Sequence, residues 1–140
     1  QYKTTDYEGG TRTPMIAHWP GKIMQNSKTD HPGHLIDFMP TMLDLAGAKT
    51  DNTLPGQSLV PILQGKQMAR QWPLYWQFGK SQAIRDKNWK LVKHASKDWE
   101  LYDLESDPTE TQNLAAKDPE KVTAMADRWK AWWEQKASKK

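Results

Sequence analysis

Residues 74–104 read LYWQFGKSQAIRDKNWKLVKHASKDWELYDL, and this stretch decides the fold of the second half of the chain. Four short segments within it are rich in aromatic and branched side chains: 74–78, 82–85, 89–94 and 99–104. The gaps between them hold Gly, Lys, Asp, Asn and Ser, a composition that is typical of turns. The spacing therefore predicts an antiparallel meander of about four strands.

A long amphipathic helix is predicted after the meander. Asp118 is a suitable N-cap, Pro119 occupies the first helical position, and Glu120 complements the positive end of the helix dipole. The apolar side chains that follow share one stripe: Val122, Met125, Ala126, Trp129, Trp132 and Trp133. A tryptophan stripe at helical spacing is more typical of core packing than of a ligand platform. We therefore expect this helix to cover one face of the meander.

The first half of the chain carries shorter signals. Residues 14–19 are mostly apolar and are stopped by Pro20-Gly21, which predicts a buried strand. A helix is predicted from Asp37, its N-cap, to Gly47, its C′ residue. One further helical turn is expected over residues 59–63.

These elements predict an α/β protein that is α+β within the 140 residues. Residues 1–66 are expected to end a layered α/β domain. Residues 67–140 are expected to form a C-terminal subdomain, in which a small antiparallel sheet is packed by the terminal helix.

The composition limits the classes of function. The chain has no Cys, which excludes disulfides, thiolate metal sites and Cys nucleophiles. Its net charge is +3 with mixed signs along the chain, so no nucleic-acid partner is expected. No apolar run reaches the roughly 18 residues of a membrane span. No signal peptide is visible within the chain, and we expect an excised or cleaved piece of a longer protein.

A lysine and a pair of glycines form the first candidate site. Lys3 before a glycine-rich turn can place an ammonium group against an anionic oxygen, and Gly9-Gly10 permits a close approach of the backbone. Glu8 and Arg12 are suited to brace the turn by pairing. From these residues alone, an exposed surface lysine and a purely structural ion pair remain the commoner explanations.

The same segment carries a family resemblance. Residues 3–14, KTTDYEGGTRTP, followed by HWPGKI at 18–23, closely resemble a signature of the sulfatase family, arylsulfatase type, which belongs to the alkaline-phosphatase-like superfamily. Further blocks are similar to the family in the same order: 34–47, 54–59, 83–92 and 100–115. The resemblance covers nearly the whole chain, and it implies the C-terminal portion of a hydrolase of sulfate esters.

The resemblance implies roles for individual residues. Lys3, five residues before the motif glutamate, would contact the sulfate group of the substrate. The residues that would hold its loop are Glu8, Gly9, Gly10 and Arg12. His34 and Trp76 are candidate pocket residues, although a loop or cap role for His34 and core packing for Trp76 are the commoner explanations. Gln77 and Phe78 depart from the family pattern, which puts a specificity role of that segment in doubt.

The resemblance also implies cofactors that this chain does not supply. Family members use Ca²⁺ and a formylglycine made from a Cys/Ser-x-Pro-x-Arg motif, and no such motif is present. Asp51-Asn52 has the letters of a calcium-binding pair but follows Lys3, and it is typical of a turn. We therefore expect no metal ligands here and no activity from the chain alone. The full-length parent is expected to be periplasmic or secreted, as family members commonly are.

Two alternatives remain open at this point. A phosphonate or phosphate monoester hydrolase of the same superfamily has a similar C-terminal region. The second alternative is a non-catalytic carbohydrate- or protein-binding module, since the chain has eight tryptophans whose faces could stack on sugars. The sequence does not distinguish an aryl sulfate from a carbohydrate sulfate as the substrate.

Overall fold

The computed structural model describes residues 4–49 and 53–138. The helices are α1 (Glu8–Thr11), α2 (Phe38–Leu45), α3 (Val60–Leu63) and α4 (Pro119–Ala137), and a 3-10 turn spans Leu35–Asp37. The strands are β1 (Leu74–Phe78), β2 (Ser81–Asp86), β3 (Trp89–His94) and β4 (Glu100–Asp103). The expected α+β fold is confirmed. None of the helices within the described residues is both long enough and apolar enough to cross a membrane.

The four strands form one antiparallel sheet in the order β1-β2-β3-β4, which confirms the predicted meander. Tyr75 pairs with Ile84, which in turn lies opposite Leu91 of β3. Leu91 is paired with Leu101 of β4. Because side chains alternate between the two faces of a strand, this register places Ile84, Leu91 and Leu101 together on one face.

Helix α4 covers that face. Met125 and Trp129 pack against Ile84, Leu91 and Leu101 in one buried cluster. The helix begins as predicted, since the Asp118 side chain accepts a hydrogen bond from the backbone N–H of Lys121 at 3.0 Å. The indole N–H of Trp129 donates to the backbone carbonyl of Trp76 at 3.0 Å, which ties the helix to β1. The prediction that the tryptophan stripe packs on the meander is confirmed for Trp129 and Trp132, whereas Trp133 is 42% exposed and stacks on Trp129.

The opposite face of the sheet is covered by the N-terminal segment. Ala83 and Val92 form a second cluster with Tyr102, Leu104 and Tyr7. Tyr7 comes from the beginning of the chain and packs edge-on against Tyr102, with ring centroids 6.5 Å apart. The sheet therefore lies between α4 on one side and the residues around Tyr7 on the other.

The contacts divide the chain into two compact units. One comprises the described residues before Met15 together with those after Gln71, and the other is Met15–Gln71. The N-terminal segment therefore belongs to the same unit as the sheet. In the Met15–Gln71 unit, α2 is followed by Gly47 at φ +65°, the left-handed conformation expected of a C′ glycine.

The predicted buried strand over residues 14–19 is wrong. The structure assigns no strand there, and Ile16 is 94% exposed. An apolar run becomes a buried strand only where neighbouring strands and a covering layer take up its hydrogen bonds and side chains. The sheet of the described residues, β1 to β4, pairs with none of this segment.

Asp37 has a different role from the predicted helix cap. It directly precedes α2, but its carboxylate accepts no hydrogen bond from that helix. It accepts instead from the backbone N–H groups of His34 at 2.8 Å and Gln57 at 3.0 Å, and from both terminal nitrogens of Arg70 at 2.7 and 2.8 Å. Burial raises the pKa of Asp37, but these donors outweigh it and hold the pKa below its usual value. The ionised, fully buried Asp37 therefore joins three segments of the unit.

Candidate functional site

The glycine-rich signature folds as a short helix rather than an open loop. Helix α1 begins after Tyr7, and the backbone N–H of Gly10 donates to the carbonyl of Tyr7 at 2.8 Å. A Cβ atom added to Gly10 would overlap the carbonyl oxygen of Thr5. Gly10 is therefore required by space, because the turn folds directly onto the preceding backbone.

Hydrogen bonds attach this segment to the sheet subdomain at three successive residues. The backbone N–H of Asp6 donates to Ser81 Oγ at 3.2 Å. The Tyr7 hydroxyl donates to Glu100 Oε2 at 2.6 Å, which also accepts from the Tyr102 hydroxyl at 2.8 Å. The backbone N–H of Glu8 donates to Glu110 Oε2 at 2.7 Å. Each bond reaches a different part of the subdomain, so the orientation of the segment is fixed rather than only its position.

A buried lysine lies at the centre of the attachment. Lys90 of β3 has no exposed surface, and its Nζ lies 2.7 Å from Glu8 Oε1, 3.0 Å from Glu110 Oε1 and 3.3 Å from Thr11 Oγ1. Arg85 Nη1 lies 4.0 Å from Glu8 Oε2. Two carboxylates are thus balanced by two cations, as a desolvated charge cluster requires.

Burial sets the protonation behaviour around this cluster. It raises the pKa of Glu110, against the opposing effects of the Lys90 charge and the Glu8 N–H. It also raises the pKa of Asp6, against the hydrogen bond of Ser81 and the charge of Lys90. Lys90 therefore favours the ionised form of both acids in a place where desolvation opposes it.

The expected Glu8–Arg12 ion pair does not occur among the described residues. The Glu8 carboxylate pairs with Lys90 and Arg85, and Arg12 is exposed. Arg12 contributes its backbone N–H, which donates to the Glu8 carbonyl at 2.8 Å and closes α1. The expected partner of Glu8, Arg12, is four residues away in sequence, whereas the observed partner, Lys90, is 82 residues away.

Lys90 and Glu110 were missed by the sequence reasoning, although one signal for Lys90 was present. In a half-buried strand, residues two apart share a face. Lys90 shares a face with Val92, and the branched apolar side chain of Val92 favours burial of that face. A lysine at an inward position indicates a buried acidic partner. Glu110 lies beyond the last strand and carries no comparable signal.

Lys3, the predicted sulfate contact, lies outside the described residues, as does Asp51-Asn52. The candidate pocket residues belong to different units. Trp76 is partly buried, packs against the cluster around Ala83 and Val92, and has Lys90 Nζ 5.8 Å from its ring centroid.

His34 is half-buried and caps the 3-10 turn. Its Nδ1 accepts a hydrogen bond from the backbone N–H of Ile36 at 3.2 Å, which requires that nitrogen to be unprotonated. Burial lowers the pKa of His34 from 6.5, and the charge of Arg70 acts in the same direction, whereas Asp37 opposes both. At neutral pH the structure therefore holds a neutral imidazole at this position.

We expect His34 to lower the stability of the chain on acidification, against the opposite contribution of Asp6 and Glu110, whose pKa values burial raises. The pKa of His34 is lowered in the folded state, so the unfolded state binds more protons as the pH drops below 6.5, and folding loses free energy there. Asp37, whose pKa is lowered from 3.8, adds its own loss only at still lower pH. Urea midpoints at pH 7.5 and 5.5 should differ less for His34→Asn, whose side-chain oxygen caps without titrating. An equal difference in the variant would contradict this assignment.

The described residues do not fit a metal ion. No three His, Asp or Glu side chains in ranges 4–49 and 53–138 form a group that could hold one. Calcium needs several oxygen ligands that converge from separate segments. No chemical step is therefore assigned to a metal held by these residues.

Comparison with known proteins gives the family. Residues 2–137 match the family described as N-sulphoglucosamine sulphohydrolase, C-terminal. The chain belongs to this family of sulfatase C-terminal domains.

Named relatives agree with this assignment. A sulfatase of Formosa agariphila is 32% identical over 93% of this chain and 28% of its own length. The choline-sulfatase of Rhizobium meliloti is 33% identical over 97% of this chain and 28% of its own length. The chain thus spans less than a third of either relative.

Solved structures share the fold. A Bacteroides thetaiotaomicron protein described under the metabolism of multiple glycosaminoglycans superposes with a TM-score of 0.79, at 26% identity, over 92% of this chain and 30% of its own. The phosphonate monoester hydrolase of Agrobacterium radiobacter superposes with a TM-score of 0.50, at 28% identity, over 71% of this chain and 24% of its own.

Proposed function

We propose that this chain is the C-terminal part of an enzyme that hydrolyses sulfate esters, and that Lys3 contacts the sulfate group of the substrate. The observation that carries the proposal is the family match over residues 2–137, which includes the signature segment that follows Lys3. The hydrogen bonds that attach Asp6, Tyr7 and Glu8 to the sheet support the proposal, because a residue that contacts a substrate is effective only from a defined position.

The proposed role of Lys3 is electrostatic. An ammonium group is a compact charge with three donors, suited to a sulfuryl oxygen. Negative charge that develops on such an oxygen in the transition state is stabilised by a cation already in place. Lys3 would therefore contribute to binding and more strongly to the transition state.

The remaining chemistry belongs to residues outside this chain. The sequence contains no Cys, and Ser106, the one Ser followed two residues later by Pro, has Glu110 where the motif requires Arg, so no formylglycine motif is present. We propose that the nucleophile and the Ca²⁺ site lie in the other part of a longer, exported parent protein. The exposed apolar side chains of Ile16, Leu35 and Met42 are compatible with further protein packing on this chain.

A phosphonate or phosphate monoester hydrolase is the second candidate, favoured by the fold shared with the Agrobacterium enzyme. A tetrahedral phosphonate offers the same anionic oxygens to a lysine, so the present residues do not separate the two substrates. Turnover by the full-length protein does: faster hydrolysis of 4-nitrophenyl sulfate than of a matched phenylphosphonate ester supports the first proposal, and the reverse order supports the second.

We expect the isolated 140-residue chain to show no turnover of 4-nitrophenyl sulfate, because it lacks a nucleophile. The full-length parent, assayed at the same concentration, is the positive control. Hydrolysis by the purified chain that disappears in Lys3→Ala would contradict the proposal that the nucleophile lies in another part of the parent protein. Hydrolysis unaffected by that change would indicate a contaminating enzyme.

A further inference from the structure

The buried position of Lys90 is poorly explained by stability alone. A buried ion pair is often no more stable than well-packed apolar side chains of similar volume, because desolvation of the charges offsets their attraction. Lys90 shares its sheet face with Val92, where an apolar residue would pack without that cost. The charges of Lys90 and its acidic partners instead fix the relative positions of these groups, since charge-assisted hydrogen bonds are short and directional.

The geometry that they fix is that of Glu8. Its carboxylate meets Lys90 Nζ at 2.7 Å, and its backbone N–H meets Glu110 Oε2 at 2.7 Å. Lys90 Nζ also forms an ion pair with Glu110 Oε1 at 3.0 Å. The backbone N–H and the carboxylate of Glu8 are thus both connected to the Lys90–Glu110 pair. The apolar contact of Tyr7 with the sheet could tolerate a small slide, whereas these polar contacts could not.

Fixing Glu8 constrains the residues just before it. The N–H of Asp6 is held by Ser81, so the described segment is anchored up to that residue. Three peptide links join Asp6 to Lys3, and such a stretch reaches at most about 11 Å. The orientation of residues 6–8 therefore limits the region in which the Lys3 ammonium can be placed.

We propose that Lys90, together with Glu110, is a positioning residue for Lys3: it orients the signature segment through Glu8 and so sets where the sulfate-contacting ammonium lies. This inference rests on the proposed function of Lys3. It gives the C-terminal sheet a part in the reaction, although no sheet residue need touch the substrate.

A double-mutant cycle in the full-length enzyme separates positioning from simple stabilisation. The variants are Lys3→Ala, Lys90→Met and the double mutant, with Lys97→Met in an exposed turn as the matched control. Circular dichroism at the assay temperature selects conditions in which every variant is folded. The measured quantity is kcat/KM for one sulfate ester.

Positioning predicts effects that do not multiply. Lys3→Ala should lower kcat/KM by about 10²–10³-fold, as for the loss of one transition-state donor. Lys90→Met should lower it by about 10–100-fold, the scale of a small misplacement. The double mutant should match Lys3→Ala alone, because a segment without its ammonium loses nothing further by moving. Lys97→Met should retain the wild-type value.

Two results would overturn the inference while leaving the function of the enzyme intact: Lys90→Met with wild-type kcat/KM, or a double mutant whose loss is the product of the two single losses. A wild-type enzyme without sulfatase activity, or an unaffected Lys3→Ala, would instead refute the proposed function. Should Lys90→Met not fold, Glu110→Gln provides the same cycle, since its side-chain oxygen still accepts from Glu8 N–H while the charge is lost.

Discussion

Replacing Lys3 by alanine in the full-length enzyme should lower kcat/KM for a sulfate ester by about 10²–10³-fold, with most of the loss in kcat. The reason is that a cation beside a sulfuryl oxygen interacts more strongly with the transition state, where negative charge accumulates, than with the ground state. An interaction equal in both states would appear in KM instead. Initial rates over a range of substrate concentrations give both constants.

Lys3→Arg and Lys97→Ala are the informative companions of this variant. Arginine keeps the charge but replaces a point-like ammonium by a planar fork, so it should recover only part of the activity. Lys97 lies in an exposed turn of the sheet subdomain, and its loss should leave both constants unchanged. A Lys3→Ala enzyme within about threefold of wild type would remove Lys3 from the site, because the loss of one such donor costs far more.

Replacing Lys90 by methionine should destabilise the sheet subdomain by about 3–5 kcal/mol, the usual cost of removing one partner from a buried ion pair. The variant leaves Glu8 and Glu110 facing each other without the cation that lies 2.7 and 3.0 Å from them. Arg85, at 4.0 Å from Glu8, is too distant to replace it. Urea unfolding followed by tryptophan fluorescence measures the change in free energy.

The matched control for this variant is Lys97→Met, which makes the same substitution at an exposed position and should change stability by less than about 0.5 kcal/mol. Adding Glu8→Gln to Lys90→Met should restore part of the loss, because it removes one of the two carboxylates that have lost the Lys90 cation. Equal unfolding midpoints for Lys90→Met and Lys97→Met would show that the buried ammonium contributes nothing to folding.

The elements with local signals could be predicted from the sequence. All four strands lie within one residue of the segments expected from aromatic content and turn composition, and α4 begins at the predicted Pro119. These signals come from residues that are close in sequence. Asp118, for example, caps α4 by accepting a hydrogen bond from the backbone N–H of Lys121, three residues later.

The parts that could not be predicted depend on residues far apart in the chain. Lys90 reaches Glu8 across 82 residues, and Arg70 reaches Asp37 across 33. A periodic pattern of apolar residues does not indicate such a long-range pairing. From the sequence, the nearer Arg12 was the more obvious partner for Glu8. The failed strand at 14–19 has a related cause, because its burial would depend on other segments covering it.

For the proposed function, the signature segment must present Lys3 to a sulfate group while the sheet holds that segment in place. The most direct measurement is a crystal structure of the full-length protein with a bound sulfate or sulfate-ester analogue. We expect Lys3 Nζ within about 3 Å of a sulfate oxygen, in a molecule where Glu8 still pairs with Lys90. A bound sulfate with Lys3 Nζ turned into bulk solvent would contradict the proposed function of Lys3.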